Sequence, residues 1–429
     1  MKPMLIRGGR VVDPSQDHDG VADLLIVDGK IEAQGKKLSA PDGAETIDAK
    51  GKVVAPGLVD IHVHLREPGR EDAETVASGA MAAAAGGFTS VCAMPNTDPV
   101  TDNQAAVGFI VKQGAAAGGA RVYPIGATSL GQAGKQLSEF GEMVAAGAVA
   151  VSDDGHPIVS SQLMRTALEY ARSFGIPVAE HCEDPYLFQG GAMHEGTVST
   201  QLGLKGIPAA AEEIMVARNI LLAGLTGGHV HLCHMSTRES VNLIRRGKER
   251  GVNVTAEAAP HHFVLTHEAC RGYDTNAKMN PPLREPEDVE AVRAGLADGT
   301  LDAIATDHAP HHYELKEREF DDAPFGVIGL ETALGLGLTQ LVDTGVLTLA
   351  QLIRCMSSEP ARIFHLPAGT LRKGSPADVV VFDPDARWVV DPARFLSKSR
   401  NTPFTGWELR GRVERTIVGG VTVFSGAKG

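Results

Sequence analysis

Apolar and polar positions alternate with a short period near both ends of the chain. Over residues 1–55, runs of β-branched residues are separated by turn sequences, and Asp28-Gly29 predicts a hairpin between two antiparallel strands. The same pattern returns after residue 366. Two half-sheets of this size gain a shared core when they join. We therefore predict that residues 1–55 and 366–429 form one small β-sandwich domain from both chain ends.

A different unit repeats between residues 56 and 365, where an apolar run precedes an Ala-rich helical stretch. The apolar runs are LVDIHVHL, FTSVCAMP, RVYPIGATS, AVAVSDDG, IPVAEHCED, HVHLCHMS, VNVTAEAAPHH and LDAIATDHAP. Strands that are apolar on both faces are typical of a parallel sheet covered by helices. Eight such units predict an α/β fold, a (β/α)8 TIM-like barrel, as the catalytic domain.

Charge excludes one class of partner. The chain has 40 Lys and Arg residues against 53 Asp and Glu, a formal charge of -13, and no basic run. A nucleic-acid-binding surface needs clustered cations, so nucleic acid is not an expected partner. An anionic small substrate is compatible with this balance, because bound metal ions can dominate the charge at a site.

Cysteine usage and hydropathy indicate a compartment. The five cysteines are scattered singly without a CxxC pair, which favours neither disulfides nor a thiolate zinc site. No apolar stretch reaches about 18 residues, and the N-terminus does not have the form of a signal peptide. We expect a cytoplasmic protein without membrane contact.

Polar residues follow the predicted barrel strands where each strand ends. They are His62 and His64, Asp153 and Asp154, His181, His231 and His234, and Asp307. Active sites of such barrels lie at the C-terminal ends of the strands. An HxH pair on one strand also directs two imidazoles to one face. The pattern predicts a metal site built from several strands.

The types of ligand indicate the chemistry. Imidazoles and carboxylates without cysteine favour zinc, and a carboxylate between two His-rich groups favours a pair of ions. A hydroxide shared by both ions would be the nucleophile, and a neighbouring carboxylate would transfer its proton. Asp307, after the last strand, is the candidate general acid/base.

The motifs resemble a known family. APGLVDIHVHLREPG is similar to the amidohydrolase superfamily. The segments MPNT, VSDDG, EHCED, HLCHMS, NPPLR, ATDHAPH and FGVIGLE, spread over essentially the whole chain, resemble bacterial type I dihydroorotases. This resemblance implies a zinc-dependent, reversible cyclisation of N-carbamoyl-L-aspartate to (S)-dihydroorotate in pyrimidine biosynthesis.

The resemblance also implies a set of metal ligands. His62, His64 and Asp307 would bind the first zinc ion, His181 and His234 the second, and Asp154 would bridge both ions. From the residues alone, Asp153 is an alternative to Asp154 and His231 to His234. His261 and His262 fall outside the implied set. Many relatives bridge the metals with a lysine, but AVAVSDDG offers only aspartate.

Substrate recognition follows from charge. Arg66, two residues after His64, is the candidate partner for the carboxylate of the substrate, because a guanidinium can bind a carboxylate through two hydrogen bonds. By resemblance, the other substrate-binding residues are His64, Asn96, Asn280 and His311. The charged segment 311–326 is expected to form a lid that contributes backbone groups of Phe325 and Gly326.

Two other functions fit parts of the sequence. An allantoinase or a dihydropyrimidinase (hydantoinase) shares the metals and the mechanism, but Arg66 with Asn96 favours an acidic substrate. A non-catalytic scaffold partner of aspartate transcarbamoylase would lack metal ligands, whereas every position is filled here. We expect a homodimer that is able to associate with that transferase.

Overall fold

The computed structural model describes residues 2–426. Its strands are β1 (Met4–Asp13), β2 (His18–Val27), β3 (Lys30–Gly35), β4 (Glu45–Asp48), β5 (Val53–Pro56), β6 (Leu58–Val63), β7 (Phe88–Ala93), β8 (Arg121–Pro124), β9 (Gly126–Ala127), β10 (Val151–Ser152), β11 (Val178–Glu180), β12 (Met193–His194), β13 (Gly206–Ile207), β14 (Val230–Leu232), β15 (Val254–Ala258), β16 (Ala303–Ile304), β17 (Val379–Val389), β18 (Glu408–Val418) and β19 (Val421–Ser425).

The α-helices alternate with the central strands. They are α1 (Val76–Ala85), α2 (Gln104–Ala116), α3 (Phe140–Ala146), α4 (Ser161–Phe174), α5 (Pro185–Phe188), α6 (Thr197–Leu202), α7 (Ala210–Thr226), α8 (Arg238–Glu249), α9 (Pro260–Val264), α10 (Pro286–Asp298), α11 (Tyr313–Lys316), α12 (Ala333–Gly337), α13 (Leu349–Ile353) and α14 (Glu359–Ile363). Within residues 2–426, no helix has both the length and the apolar character needed to cross a membrane.

Strands from both chain ends share one sheet. Its order is β19-β18-β17-β5-β1-β2-β3, with β4 paired to β1. Asp28 and Gly29 both have positive φ, 49° and 74°, as the predicted two-residue hairpin between β2 and β3 requires. Leu24, Ile47 and Val379 are among the residues of its core. The domain limits at residues 55 and 366 stay a prediction.

The central strands form the predicted barrel. One parallel sheet has the order β6-β7-β8, and a second runs from β9 through β10, β11, β14 and β15 to β16. The chain passes directly from β8 into β9 at Ile125, and a parallel bridge between Val63 and His308 joins the first barrel strand to the segment after the last. Each of the eight apolar runs therefore supplies one barrel position.

One predicted strand is shorter than its apolar run. The run VNVTAEAAPHH was expected to end at His261 and His262, but β15 ends at Ala258 and the two histidines lie in α9. Pro260 begins that helix. Backbone N–H groups in the first turn have no partner within the helix, so the missing N–H of proline costs no hydrogen bond there.

Helices cover the barrel through one apolar face. In α4, the buried residues Met164, Ala167, Leu168 and Ala171 recur at helical spacing, and the Ser160 side chain accepts a hydrogen bond from the backbone of the first turn. Gly175 ends the helix in the left-handed conformation. The outer layer thereby fixes each strand, and the polar residues that follow it, relative to the barrel axis.

Candidate metal-dependent active site

Asp154, which follows β10, lies among four imidazoles. Its Oδ1 atom is 3.5 Å from Nε2 of both His62 and His234. The same atom is 3.8 Å from His181 Nδ1, and Oδ2 is 3.5 Å from His64 Nε2. Burial favours the neutral acid, but His62 and His234 hold the pKa of Asp154 well below its ordinary value. Imidazoles from three strand ends thus meet at a carboxylate that follows a fourth strand.

Asp307 faces the same cluster from the last strand. Its Oδ1 atom lies 3.0 Å from His64 Nε2 and 3.5 Å from His62 Nε2. Burial opposes ionisation, yet the charges of His62 and His64 lower the pKa of Asp307 below its ordinary range. The cluster therefore contains two ionised carboxylates that both lie within 3.5 Å of the HxH pair.

The cluster fits divalent cations. Among residues 2–426, three of its buried polar atoms have no hydrogen-bond partner: His62 Nε2, Asp154 Oδ1 and His234 Nδ1. Two sets of ligand atoms lie within 4.8 Å of one another; these are His62, His64 and Asp307, and His62, Asp154 and His234. Buried lone pairs without partners are costly, and bound metal ions would satisfy those directed into the cluster. Nitrogen and oxygen donors of this kind suit zinc.

Two of the imidazoles meet a hydrogen-bond acceptor at the ring nitrogen that faces away from the cluster. The pairs are His62 Nδ1 with Glu257 Oε1 at 2.7 Å and His64 Nδ1 with Asn96 Oδ1 at 2.8 Å. An acceptor at one nitrogen holds the proton there. In the neutral ring, the other nitrogen presents its lone pair to the cluster.

Glu257, on β15, links two of the predicted ligands. Its Oε1 atom also accepts a hydrogen bond from the backbone N–H of His234, at 3.3 Å, and its Oε2 atom lies 3.0 Å from His231 Nε2. Burial raises the pKa of Glu257, but His62 and His231 outweigh that effect and lower it to about 2. His231 therefore contacts Glu257 rather than Asp154.

The remaining alternatives also separate in space. Asp153 accepts hydrogen bonds from the backbone N–H, at 3.0 Å, and the hydroxyl of Ser129, so it points away from the imidazoles. His262 donates to the carbonyl of Pro281 at 2.9 Å. Burial and the neighbouring His262 keep the pKa of His261 well below its ordinary value.

Arg66 is a buried cation beside the cluster. It has positive φ, 62°, and its Nε donates to the Pro310 carbonyl at 3.0 Å. Burial lowers the pKa of Arg66 to about 10, so the side chain is charged at neutral pH. Within residues 2–426, no Asp or Glu oxygen lies within 4.0 Å of its guanidinium nitrogens. The charge of Arg66 is therefore free to pair with an anion.

His311 lies against Arg66 at the mouth of the barrel. Its Nε2 is 3.5 Å from Arg66 Nη2 and donates to the Phe325 carbonyl at 2.7 Å. Burial and Arg66 lower the pKa of His311 to about 2, so its ring is neutral. Gly326 permits this contact, because a Cβ there would lie 2.7 Å from the Ala309 oxygen and 2.8 Å from the His311 ring.

The two predicted substrate-binding amides lie on different sides of the cluster. Asn96 contacts His64, as described above, whereas Asn280 Nδ2 donates to Glu183 Oε2 at 3.2 Å. Asn280 Oδ1 is buried and has no hydrogen-bond partner in the described part of the chain. Lys278, two residues before Asn280, holds the segment 311–326, because its Nζ donates to the carbonyls of Phe320 and Asp321 at 2.6 and 2.9 Å.

Sequence reasoning missed several supporting residues. Glu257 had a recognisable signal, since it is a charged residue inside an apolar strand run. Glu183 lies two residues after His181, in the EHCED motif. Asn401 contacts the segment that carries His311, and nothing in its sequence context indicated this, because the contact joins parts of the chain that are far apart.

Two protein families match parts of the chain. Residues 51–240 match the model of the Dihydro-orotase-like family, and residues 328–424 match the Amidohydrolase family. The chain is 55% identical to a dihydroorotase of Geobacter metallireducens over 98% of this chain and 99% of that protein. It is 58% identical to a dihydroorotase of Pelotomaculum thermopropionicum, covering 98% of each chain.

Solved structures of related proteins have the same architecture. An L-hydantoinase (dihydropyrimidinase) from Arthrobacter aurescens matches with a TM-score of 0.89 at 28% identity, covering 99% of this chain and 96% of that chain. A dihydropyrimidinase from Brevibacillus agri matches with a TM-score of 0.85 at 25% identity, covering 99% and 95%.

Proposed function

We propose that N-carbamoyl-L-aspartate and (S)-dihydroorotate are the substrates of this chain, which belongs to the dihydroorotase family of the amidohydrolases and is a cyclic amide hydrolase. The reaction closes or opens the ring at one amide bond, with release or uptake of water. The family assignment rests on relatives that align with nearly the whole chain. The choice of an acidic ring among cyclic amides depends on the site itself.

The unpaired charge of Arg66 is the observation that supports an acidic substrate. A buried guanidinium without an ion-pair partner is unfavourable until an anion reaches it. Arg66 follows His64 by two residues, so an anion bound there lies next to the imidazole cluster. Dihydroorotate carries its carboxylate on the ring that reacts, which matches this spacing. Hydantoin, dihydrouracil and allantoin lack that group.

We assign the proton transfers to Asp307. It is ionised and lies within 3.5 Å of both histidines of the HxH pair. In hydrolysis, Asp307 accepts a proton from the attacking water and delivers it to the ring nitrogen as the amide bond breaks. In cyclisation, the same carboxyl group takes the proton from that nitrogen as the bond forms.

We propose that two zinc ions occupy the cluster. His62, His64 and Asp307 would hold the first ion, His181 and His234 the second, and Asp154 would contact both. When bound, such ions polarise the substrate carbonyl and lower the pKa of water. Glu257 and Asn96 keep His62 and His64 in the tautomers that this binding needs. Support comes from the unpartnered atoms of His62 and Asp154.

The remaining substrate contacts surround the ring. Arg66, with Asn96 and His311, would hold the carboxylate, and His64 would border it. The unpartnered Oδ1 of Asn280 is available to a ring N–H. The backbone of Phe325 and Gly326 would complete the enclosure from the segment 311–326.

Turnover of a substrate panel tests this function. Zinc-loaded protein is assayed with dihydroorotate, hydantoin, dihydrouracil and allantoin, and each assay is repeated after metal removal by a chelator. We expect metal-dependent turnover of dihydroorotate alone. Preference for the three uncharged rings would indicate a hydantoinase or allantoinase instead. Zinc binding without any turnover would support the scaffold function.

We also propose a cytoplasmic homodimer that associates with aspartate transcarbamoylase. The five cysteines are all free and buried, which suits a reducing compartment. Ile214, Leu221 and Leu225 on α7 are 51%, 60% and 65% exposed, an apolar surface that a second subunit would cover. Size-exclusion chromatography of the protein with and without the transferase tests both associations. A monomer that elutes unchanged in the mixture would contradict them.

A further inference from the structure

The segment 397–401 reaches the active site from outside the barrel. It belongs to the connection between β17 and β18, two strands of the sheet that both chain ends share. Ser397, Ser399 and Asn401 are nevertheless only 2–3% exposed. Their polar groups must find partners inside the protein, and they find them in two loops of the barrel mouth.

The first of these loops follows β6 and carries Arg66. Ser397 donates its hydroxyl to the Glu74 carboxylate, and the backbone N–H of Lys398 donates to the same carboxylate at 3.2 Å. Ser399 Oγ lies 2.8 Å from the Ala73 carbonyl. The segment 397–401 thus fixes the end of the loop that begins with the predicted carboxylate-binding arginine.

The second loop follows β16 and carries His311. Asn401 Nδ2 donates to the carbonyls of Ala309 and Gly326, both at 3.0 Å, and its Oδ1 accepts from the backbone N–H of His311 at 3.2 Å. Ser399 Oγ lies 2.9 Å from the His311 carbonyl. Asn401 thereby uses both amide hydrogens and its oxygen on this one loop.

These contacts also bear on Arg66. Its Nε donates to the carbonyl of Pro310, the residue between two backbone groups that Asn401 holds, those of Ala309 and His311. Arg66 and His311 therefore share one support. A shift of this backbone would move both side chains relative to the imidazole cluster, whose ligands lie on other strand ends.

We propose that Asn401 is a positioning residue for substrate specificity: it holds Arg66 and His311 in the arrangement that binds the substrate carboxylate. The inference rests on the proposed function, and it adds a specificity-determining residue that lies in the connection between β17 and β18. Asn401 does not touch the reacting atoms. Its loss should weaken recognition of the carboxylate more than it slows the chemical step.

Asn401→Asp is the sharpest test. The new carboxylate keeps the acceptor for His311 N–H but sets an oxygen against the carbonyls of Ala309 and Gly326. We expect KM for dihydroorotate to rise about tenfold or more, with kcat changed less than threefold and zinc content unchanged. Asn253→Asp, at an exposed position, is the matched control and should keep wild-type constants. Ser399→Ala, a milder change that preserves the fold, should raise KM about threefold.

A double variant shows whether Asn401 acts through His311. In a His311→Ala background, the logarithm of the KM change caused by Asn401→Asp should fall to less than half of its value in the wild-type background, because one of the two side chains that Asn401 positions is absent. An undiminished effect would overturn the proposal, as would a lower melting temperature with unchanged KM. If the wild-type protein fails to turn over dihydroorotate, the proposed function itself is wrong; if it succeeds and both single variants match it, only this inference is wrong.

Discussion

The Nδ1 atom of His62 lies 2.7 Å from Oε1 of Glu257, and the same oxygen accepts a hydrogen bond from the backbone of His234. One buried carboxylate thus supports two predicted metal ligands on different strands. Glu257→Gln should lower zinc affinity by about 10- to 100-fold, because the neutral amide no longer fixes the His62 proton. Competition with a chelator measures this affinity.

The control for Glu257→Gln is Glu249→Gln, an exposed residue at the end of α8. It should keep wild-type zinc affinity. If Glu257→Gln also binds zinc as tightly as the wild type, the tautomer of His62 does not depend on this carboxylate.

Asp307→Asn tests the proton transfers. The amide cannot take up the proton, so turnover should fall by about a thousandfold or more, whereas zinc content falls little because five predicted ligands are intact. Kinetics and metal analysis are done on the same preparation, with the exposed Asp42→Asn as control. Substantial residual activity would assign the proton transfers to another group.

Arg66→Lys tests recognition of the carboxylate. Lysine keeps the charge but loses the paired hydrogen bonds and the Nε contact to Pro310. KM for dihydroorotate should rise about 10- to 100-fold with zinc content unchanged. Arg318→Lys, on an exposed part of the segment 311–326, is the control. An unchanged KM would mean that the carboxylate binds elsewhere.

His194 should make stability depend on pH. Burial and the adjacent Arg284 lower the pKa of His194 to about 3. The unfolded chain binds a proton near pH 6.5 and the folded chain only near pH 3. The free energy of unfolding should therefore fall as pH decreases from 6.5, by at most about 1.4 kcal/mol per pH unit from this group.

Urea unfolding of metal-free protein between pH 7 and pH 4 measures that dependence. His194→Gln should have a shallower slope than the wild type, whereas the exposed His156→Gln should keep the wild-type slope. Equal slopes in all three proteins would show that His194 is not held neutral in the folded state.

Much of the fold was predictable because strand hydrophobicity is local information. Each barrel strand appears as an apolar run, and the hairpin at Asp28-Gly29 has its own turn signal. The closure through Val63 and His308 was not predictable, because it depends on the curvature of the whole barrel. The end of β15 was predicted too late, since Pro260 was read as part of a strand although it begins α9.

The candidate site divides in the same way. The histidines of the HxH motif were predictable from spacing, because alternate residues of a strand share one face. Spacing could not separate Asp153 from Asp154. Their difference lies in the turn after β10, where the backbone N–H and hydroxyl of Ser129 bind Asp153. Asn401 was out of reach, because its contacts join distant parts of the chain.

The pairing of β5 with β17 delays assembly of the shared sheet during synthesis. On the ribosome, Val53–Pro56 emerge early, and roughly 320 residues must follow before Val379 can pair with Pro56, which takes tens of seconds at about 5–20 residues per second. During that time the nascent half-sheet has an open edge at β5 that other chains could join. This enzyme should therefore depend on chaperone shielding of its first strands until its last strands have been made.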